Sequence, residues 1–563
     1  MIKATKKLKE NVIMSLVYGI LALVIIYPIG QLFLSSFRID RIGRPSVWTL
    51  TNFTNLFGSR SFIFALKNTL IISAEAVLLA TVMGVFLAWL IARTDIPCKK
   101  YLEPLNMLPF YLSSLVGAIS WELLAAPKTG LLNQLVRGIF DLSSPPFNIY
   151  SITGISLVLG LFYTPYIYLF TVGNLQNMDP SLEDAARVSG ASIGYTTLRV
   201  TLPLAAPAIL SGSILIFVTA AGIFGVPLLL GSPGRVNTIS TLIYSRINMY
   251  PPSYNGASAL SSFLLLLTVA LIILQRKILA GRRFWTVTGK GFRPRVISLG
   301  RWRWVALGMN LAYLSFIFLP FLIMVIISFL PGWTGELHMD RLSLKNYYEV
   351  LFVDDAARRG FMNSMIIATG GACFAIVVCT VLAALIQRTR LPGRSGVDFI
   401  SMLPVTYPGI VLGVGFLIAW IRTPLYGTLW ILMLAYVVHF LPTGLRSMQA
   451  VLGSISPDLE ECGRVSGANW FGALGRILLP LMWPGVMSTW LLLFVTFIRE
   501  VSCSLILFVY GTETVSVALI RIMEYQPQGV TAAFGSLQTI IILAAVFLIR
   551  RISSRFGIRV ERG

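Results

Sequence analysis

The sequence predicts an all-α membrane protein of twelve transmembrane helices, arranged as two parallel six-helix halves. Three observations predict it: a composition too apolar for a soluble core, apolar runs of membrane-crossing length, and an internal repeat. Hydrophobic residues make up 56% of the 563-residue chain and charged residues only 12%, with a mean hydropathy of +0.79. Soluble domains carry about 25% charged residues, so the bilayer has to be the solvent.

An apolar run of about 20 residues crosses the hydrocarbon core as a helix. Twelve such runs are present: Val12–Phe33, Ala65–Ala92, Leu102–Ala126, Ile152–Leu175, Ala206–Leu230, Ala257–Leu274, Trp304–Phe329, Met362–Ile386, Phe399–Trp420, Thr428–Met448, Pro484–Tyr510 and Val530–Ile549. The tenth is interrupted by His439, Pro442 and Arg446. Continuous runs exclude a β-barrel, whose strands alternate over short segments.

The formal charge of +22 reports topology rather than a nucleic-acid partner. Numbered from a cytoplasmic N-terminus, 29 of the 45 Lys and Arg fall in inner segments, nine of them between Arg276 and Arg303. Short inner loops collect Lys and Arg because these residues resist translocation. They sit in separate short loops with no aromatic platform for bases between them, so no nucleic acid is expected. The basic start Met1–Asn11 is followed by an apolar stretch too long for a signal peptide and without a small-residue cleavage site. That stretch is expected to remain as a span, with both chain ends on the cytoplasmic side. The five cysteines (Cys98, Cys373, Cys379, Cys462, Cys503) show no metal-ligand spacing, and disulfides are not expected.

The repeat organises the chain. Asp179–Pro207 matches Ser456–Pro484 at thirteen of 29 positions in one register of 277, including the run Arg-Val-Ser-Gly-Ala. Upstream, Asn68 and Asn363, Pro97 and Pro392, and Pro109 and Pro404 are each 295 apart. The difference of 18 places about eighteen extra residues in an outer loop of the first half, around Pro127–Tyr150. Six spans per half is even, so both halves enter from the same side and are parallel. The halves are read as 1–280 and 304–563, joined by a basic linker at 281–303.

The repeated loop lies between the fourth and fifth spans of each half. Asp179-Pro180 and Ser456-Pro457 each read as an N-cap followed by proline at the first helical position. Carboxylates follow in the first turns (Glu183, Asp184; Glu460, Glu461), where the helix dipole favours them. Gly190 and Gly467 sit where the helix should end in a left-handed residue. A second amphipathic stretch then runs to Leu202-Pro203 and Leu479-Pro480. Membrane packing alone does not demand two such loops.

Asp184-Ala185-Ala186-Arg-Val-Ser-Gly190 resembles the Glu-Ala-Ala-x-x-x-Gly loop of binding-protein-dependent ABC importer permeases of the type I fold. The second copy, Glu461-Cys462-Gly463-Arg-Val-Ser-Gly467, keeps the acid and the glycine and replaces both alanines. The resemblance covers essentially the whole chain. It implies that Glu183, Asp184, Ala185, Ala186, Gly190, Glu460, Glu461 and Gly467 form coupling helices inserting into separate ATPase subunits, presented here as two, one per loop. It also implies a periplasmic or lipid-anchored substrate-binding protein on the outer face and a place in the bacterial inner membrane, in contact with lipid. No phosphate-binding Gly-x-x-x-x-Gly-Lys-Ser/Thr loop occurs: Thr288-Gly289-Lys290-Gly291 lacks the upstream glycine and the hydroxyl residue. The chain is therefore expected to be no enzyme, with neither catalytic residue nor cofactor.

Charged groups inside spans are candidate functional groups. Glu75 and Glu122 fit a buried interhelical hydrogen bond or a place near a span end. Arg499-Glu500, in the predicted eleventh span, aligns with Gly222-Ile223, and this asymmetry marks it as a candidate for the translocation pathway; structural pairing fits equally. The fused halves, Gly225–Gly234, and Arg499-Glu500 ahead of Gly511-Thr-Glu-Thr514 resemble ferric-iron permeases. Permeases for phosphonates, sugar phosphates, thiamine and polyamines look similar. The two histidines, His338 and His439, are far apart, and no residue set here coordinates iron. An ion-driven transporter of six-plus-six spans would explain the repeat but not the duplicated loops, and intramembrane relay residues are sparse. A channel or membrane enzyme finds no charge ring or catalytic constellation.

Overall fold

Lipid cannot hydrogen-bond a backbone, so every span must satisfy itself as a helix. A computed structural model describes residues 2–41, 44–179, 181–280, 296–336, 338–465, 472 and 474–555. Among these, ten helices are long and apolar enough to cross a membrane, and two further pairs of helices are sharply bent, each a broken span or a re-entrant loop, giving up to twelve if each pair counts as one span. In chain order, spans 1, 2 and 4–6 are Asn11–Ser36, Arg60–Arg93, Ile152–Asn177, Ile193–Gly222 and Tyr254–Ile278. Spans 7, 8 and 10–12 are Trp302–Ser328, Asp355–Arg388, Leu429–Gly453, Leu479–Ile498 and Gln528–Leu548. Span 10 runs unbroken through Pro442.

Spans 3 and 9 differ from the expected straight helices. Lys99–Phe110 meets Ser114–Ala125 at 97°, and Arg394–Thr406 meets Gly409–Trp420 at 109°. Proline explains the elbows. Pro109 and Pro404 open short 3₁₀ turns, and Tyr407, ahead of Pro408, is forced into extended backbone. Each second arm has 12 residues, about 18 Å of helix, so neither crosses a core of about 30 Å alone. Sequence hydropathy registers both arms as one run and is blind to the bend.

The fifth and eleventh spans were also expected to run further, to Leu230 and Tyr510. Their helices stop at Gly222 and Ile498 and resume as the short helices Gly225–Gly231 and Ser504–Leu507. In the other direction they start earlier than expected. The second amphipathic stretch of the first loop is continuous with span 5, because the turn ahead of Pro203 opens to a π-type bond, Leu202 N–H to Thr197 O. Opening the turn accommodates the missing proline donor without breaking the helix. The extra residues of the first half fold into a helix, Leu131–Phe140, as the change of register located them. A two-stranded hairpin, Arg38–Arg41 with Arg44–Trp48, follows span 1.

Within the first half, spans 2 and 4 form the main pair, with span 5 against both. They approach closely at Gly84, where a Cβ would lie 2.7 Å from that of Ile167; small residues permit such contact in lipid. Spans 8, 10 and 11 repeat the arrangement. The first span of each half packs on the other half. Span 1 lies on Gly409–Trp420, with Tyr27 and Trp420 rings 5.6 Å apart. Span 7 lies on Ser114–Ala125, with Trp121 stacked on Phe316 at 6.1 Å. Exchanging first spans interlocks the halves. A protease site inserted between residues 281 and 295 of the 281–303 linker should therefore leave both fragments co-purifying in mild detergent after cleavage; separation by size exclusion would contradict the interlock.

Candidate functional site

Each repeated loop follows a long span, the first after span 4 and the second after span 10. In the first, the Asp179 carboxylate accepts from Ser181 N–H at 2.9 Å and starts the helix Ser181–Val188. Gly190 ends it at φ +85°, with Gly190 N–H on Arg187 O and Ala191 N–H on Ala186 O, both 3.0 Å. These are the cap and left-handed stop expected from the sequence. In the second loop, Ser456 Oγ accepts from Asp458 N–H at 3.3 Å, and the helix is Pro457–Val465. Gly467 and Pro180 lie outside the described residues, as does the side chain of Glu460.

The two helices expose the same residue types. Leu182 and Leu459 are 50% and 46% exposed, and Val188 and Val465 are both 89% exposed. Matching apolar side chains held in water at repeat-related positions mark a surface built to be covered. The motif reading passed over these four residues, although both pairs are among the thirteen repeat identities. Ala185 and Glu461 also face solvent.

Glu183 is a correction. The resemblance implies a residue of the inserting helix there, but its side chain turns inward and the residue is only 4% exposed. Thr201 Oγ1 donates to Glu183 Oε1 at 2.7 Å. Arg93, fully buried at the end of span 2, places a guanidinium nitrogen 3.6 Å from Glu183 Oε2. That separation is an ion pair rather than a hydrogen bond. The match of Arg93 to Arg388 in the 295 register is the signal in the sequence that marks it.

The halves cross where their broken spans meet. A Cβ on Gly222 would lie 2.8 Å from Pro408 Cβ, so the end of span 5 touches the elbow of span 9. At the repeat-related place, Arg499 at the end of span 11 donates to the carbonyl of Phe110 in the elbow of span 3. The candidate pair Arg499-Glu500 is thus split. Glu500 points away, its Oε1 accepting from Cys503 N–H at 2.8 Å and its Oε2 from Ser504 N–H at 3.0 Å and Ser504 Oγ at 2.9 Å. It caps the helix Ser504–Leu507. Both residues had been placed inside the eleventh span; they follow its end. Of the other acids, Glu122 accepts from Tyr150 OH at 2.8 Å, a bond to the loop ahead of span 4 rather than between helices, and Glu75 Oε2 is buried without a hydrogen bond among the described residues.

Both matched segments of a family model, residues 43–284 and 376–558, contain one of these loops. The model describes binding-protein-dependent transport system inner membrane components. This chain belongs to that family. The transport component is similar to the Ferric transport system permease protein FbpB of Actinobacillus pleuropneumoniae, 25% identical over 532 residues, covering 93% of this chain and 75% of that protein. It is 27% identical over 497 residues to the Putative ferric transport system permease protein FbpB 1 of Haemophilus influenzae, covering 86% and 75%. The Spermidine/putrescine transport system permease protein PotC of Haemophilus influenzae is 28% identical over 241 residues, covering 42% of this chain and 90% of its own.

In the segment joining spans 11 and 12, the transport component buries Glu513 between Arg359 at 3.2 Å and Arg521 at 3.1 Å. Burial alone would raise this carboxyl, but hydrogen bonds from Arg359 and the Gly511 N–H, with the nearby positive charge, hold it below the ordinary range. A depressed pKa gives stability that is complete above the unfolded value and lost as pH falls through the folded one. Between about pH 5 and pH 3, the wild type should lose more thermal stability than Glu513→Gln. Equal losses would show that this cluster does not stabilise the fold.

Proposed function

We propose that the chain is the membrane-spanning subunit of an ATP-binding-cassette importer whose cargo is ferric iron. The observation that carries the reading is the pair of loop helices exposing the same leucine and valine at repeat-related positions. An apolar surface duplicated by the repeat calls for two copies of one partner, and in this family the partners are ATPase subunits. Leu182, Ala185 and Val188 on one helix, with Leu459, Glu461 and Val465 on the other, provide the contact. Asp184, Ala186, Gly190, Glu460 and Gly467 belong to the same loops. The loops are then cytoplasmic, a placing that the distribution of Lys and Arg supports, with both chain ends on the same side. ATP is hydrolysed by the partners, the chain itself supplying no nucleotide site.

The outer face receives a substrate-binding protein, and cargo passes where the ends of spans 5 and 11 cross the elbows of spans 9 and 3. Arg499 belongs to that crossing and Glu500 supports it. Iron is favoured over the other cargoes by the two ferric relatives, which cover most of the chain. Among the described residues, no three His, Cys, Asp or Glu side chains gather to hold a metal ion, so ion selection rests with the binding protein. The test is uptake of radiolabelled ferric iron by proteoliposomes containing this chain, its ATPase and its binding protein. ATP-dependent iron accumulation is expected; accumulation of labelled spermidine without iron would replace iron by a polyamine and keep the importer.

A further inference from the structure

In both halves an arginine at the end of a long span contacts the loop helix or the segment just ahead of it. Arg93 ends span 2, and Arg388, its match in the 295 register, ends span 8. Arg93 is buried against Glu183 inside the first loop helix. Arg388 donates to the carbonyl of Leu452 at 2.7 Å and to that of Ile455 at 2.5 Å. Those carbonyls lie at the end of span 10 and just ahead of the second loop helix. A cation there satisfies acceptors that a helix C-terminus leaves open.

The first arginine also anchors a strap. Ile297 N–H donates to Arg93 O at 2.7 Å, and Asp95 N–H donates to Ile297 O at 3.2 Å, a short parallel bridge. The Asp95 carboxylate accepts from Leu299 N–H at 2.8 Å and from Ser298 Oγ at 3.1 Å. Residues 297–299 lead directly into span 7, which packs on the first half. One point thus joins the first loop helix, span 2 and the entry to the second half.

From this geometry we infer that Arg93 and Arg388 are positioning residues that carry movement of the loop helices into spans 2 and 8. Through the strap at 297–299, Arg93 also carries it to span 7. The inference rests on the importer reading and deepens it: the loop helices meet the motors, and these arginines join them to the membrane. A pair tucked inside the loop, rather than offered to a partner, has this transmitting geometry. Neither arginine touches cargo.

The test uses the complete transporter in proteoliposomes and reads ATP hydrolysed per solute imported, together with ATPase co-purification. Arg93→Gln leaves Glu183 an uncompensated buried carboxylate, which by itself destabilises the fold. The double variant Arg93→Gln/Glu183→Gln removes both charges and keeps the comparison usable. That double variant and Arg388→Gln should retain the ATPase on purification while the ATP cost per solute rises about tenfold. Arg93→Lys, which keeps the charge, should recover part of the coupling. An unchanged ratio in the neutral double variant would reduce Arg93–Glu183 to a structural contact and overturn the inference. Failure of the unaltered protein to hold any ATPase would instead overturn the importer reading.

Discussion

Gly190→Val should lower ATP-driven transport tenfold or more while leaving membrane insertion intact. The glycine sits at φ +85°, and a Cβ built on it would meet nothing within 4 Å. No steric clash contributes, so the whole penalty lies in the backbone. A left-handed residue other than glycine costs roughly 1–2 kcal/mol, and a β-branched side chain is the worst case. The helix would relieve that strain by changing the angle at which it leaves the loop. The angle sets where Leu182 and Val188 are presented, so the fault appears in coupling rather than in stability. Gly190→Asn, which tolerates the left-handed region, should keep most activity. If valine and asparagine variants transport equally well, the bend has no part in coupling. The same substitution at Gly467 should act through the second loop.

The second large effect is expected at Glu500. Glu500→Ala strips the acceptor from two backbone N–H groups and a hydroxyl in a buried setting. Each buried donor left unsatisfied costs about 1–3 kcal/mol, so folded yield in detergent should drop severely. Glu500→Gln keeps one acceptor oxygen and should lie between alanine and wild type. Arg499→Ala should behave differently, with near-normal yield and impaired transport, because its one described bond spans the two halves rather than holding a helix end. Thermal unfolding and transport measured on the same preparations separate the roles. Equal loss of stability at both positions would make Arg499 structural as well.

What the sequence made legible follows from the physics of each feature. Hydropathy located the ten unbroken spans because the bilayer imposes length and apolarity directly. The repeat register located the two loops and the extra helix at Leu131–Phe140, since duplicated chemistry survives as matching residues. The elbows at Pro109 and Pro404 were not legible, because both arms of each bent span are equally apolar. The endings at Gly222 and Ile498 escaped for the same reason: the residues that follow stay apolar while the backbone turns. Glu183 was misread because its partners are distant in the chain, at Arg93 and Thr201. A charge near a span end reads as topology until the fold shows it buried.

Arg499 and Glu500 teach a related point. Their charge drew attention to the right place in the chain, where span 11 ends and the halves meet. It did not separate the residue that reaches across from the one that holds a helix. That separation depends on which backbone groups are left without partners at a break, and a linear pattern does not carry it.

The most direct measurement purifies the protein in mild detergent, reconstitutes it with and without its co-purifying ATPase, and follows solute entry into vesicles. Entry should require the ATPase and ATP, and should fail when Leu182, Val188, Leu459 and Val465 are all replaced by aspartate. Uptake driven by an ion gradient alone, with no nucleotide-hydrolysing partner present, would contradict the account.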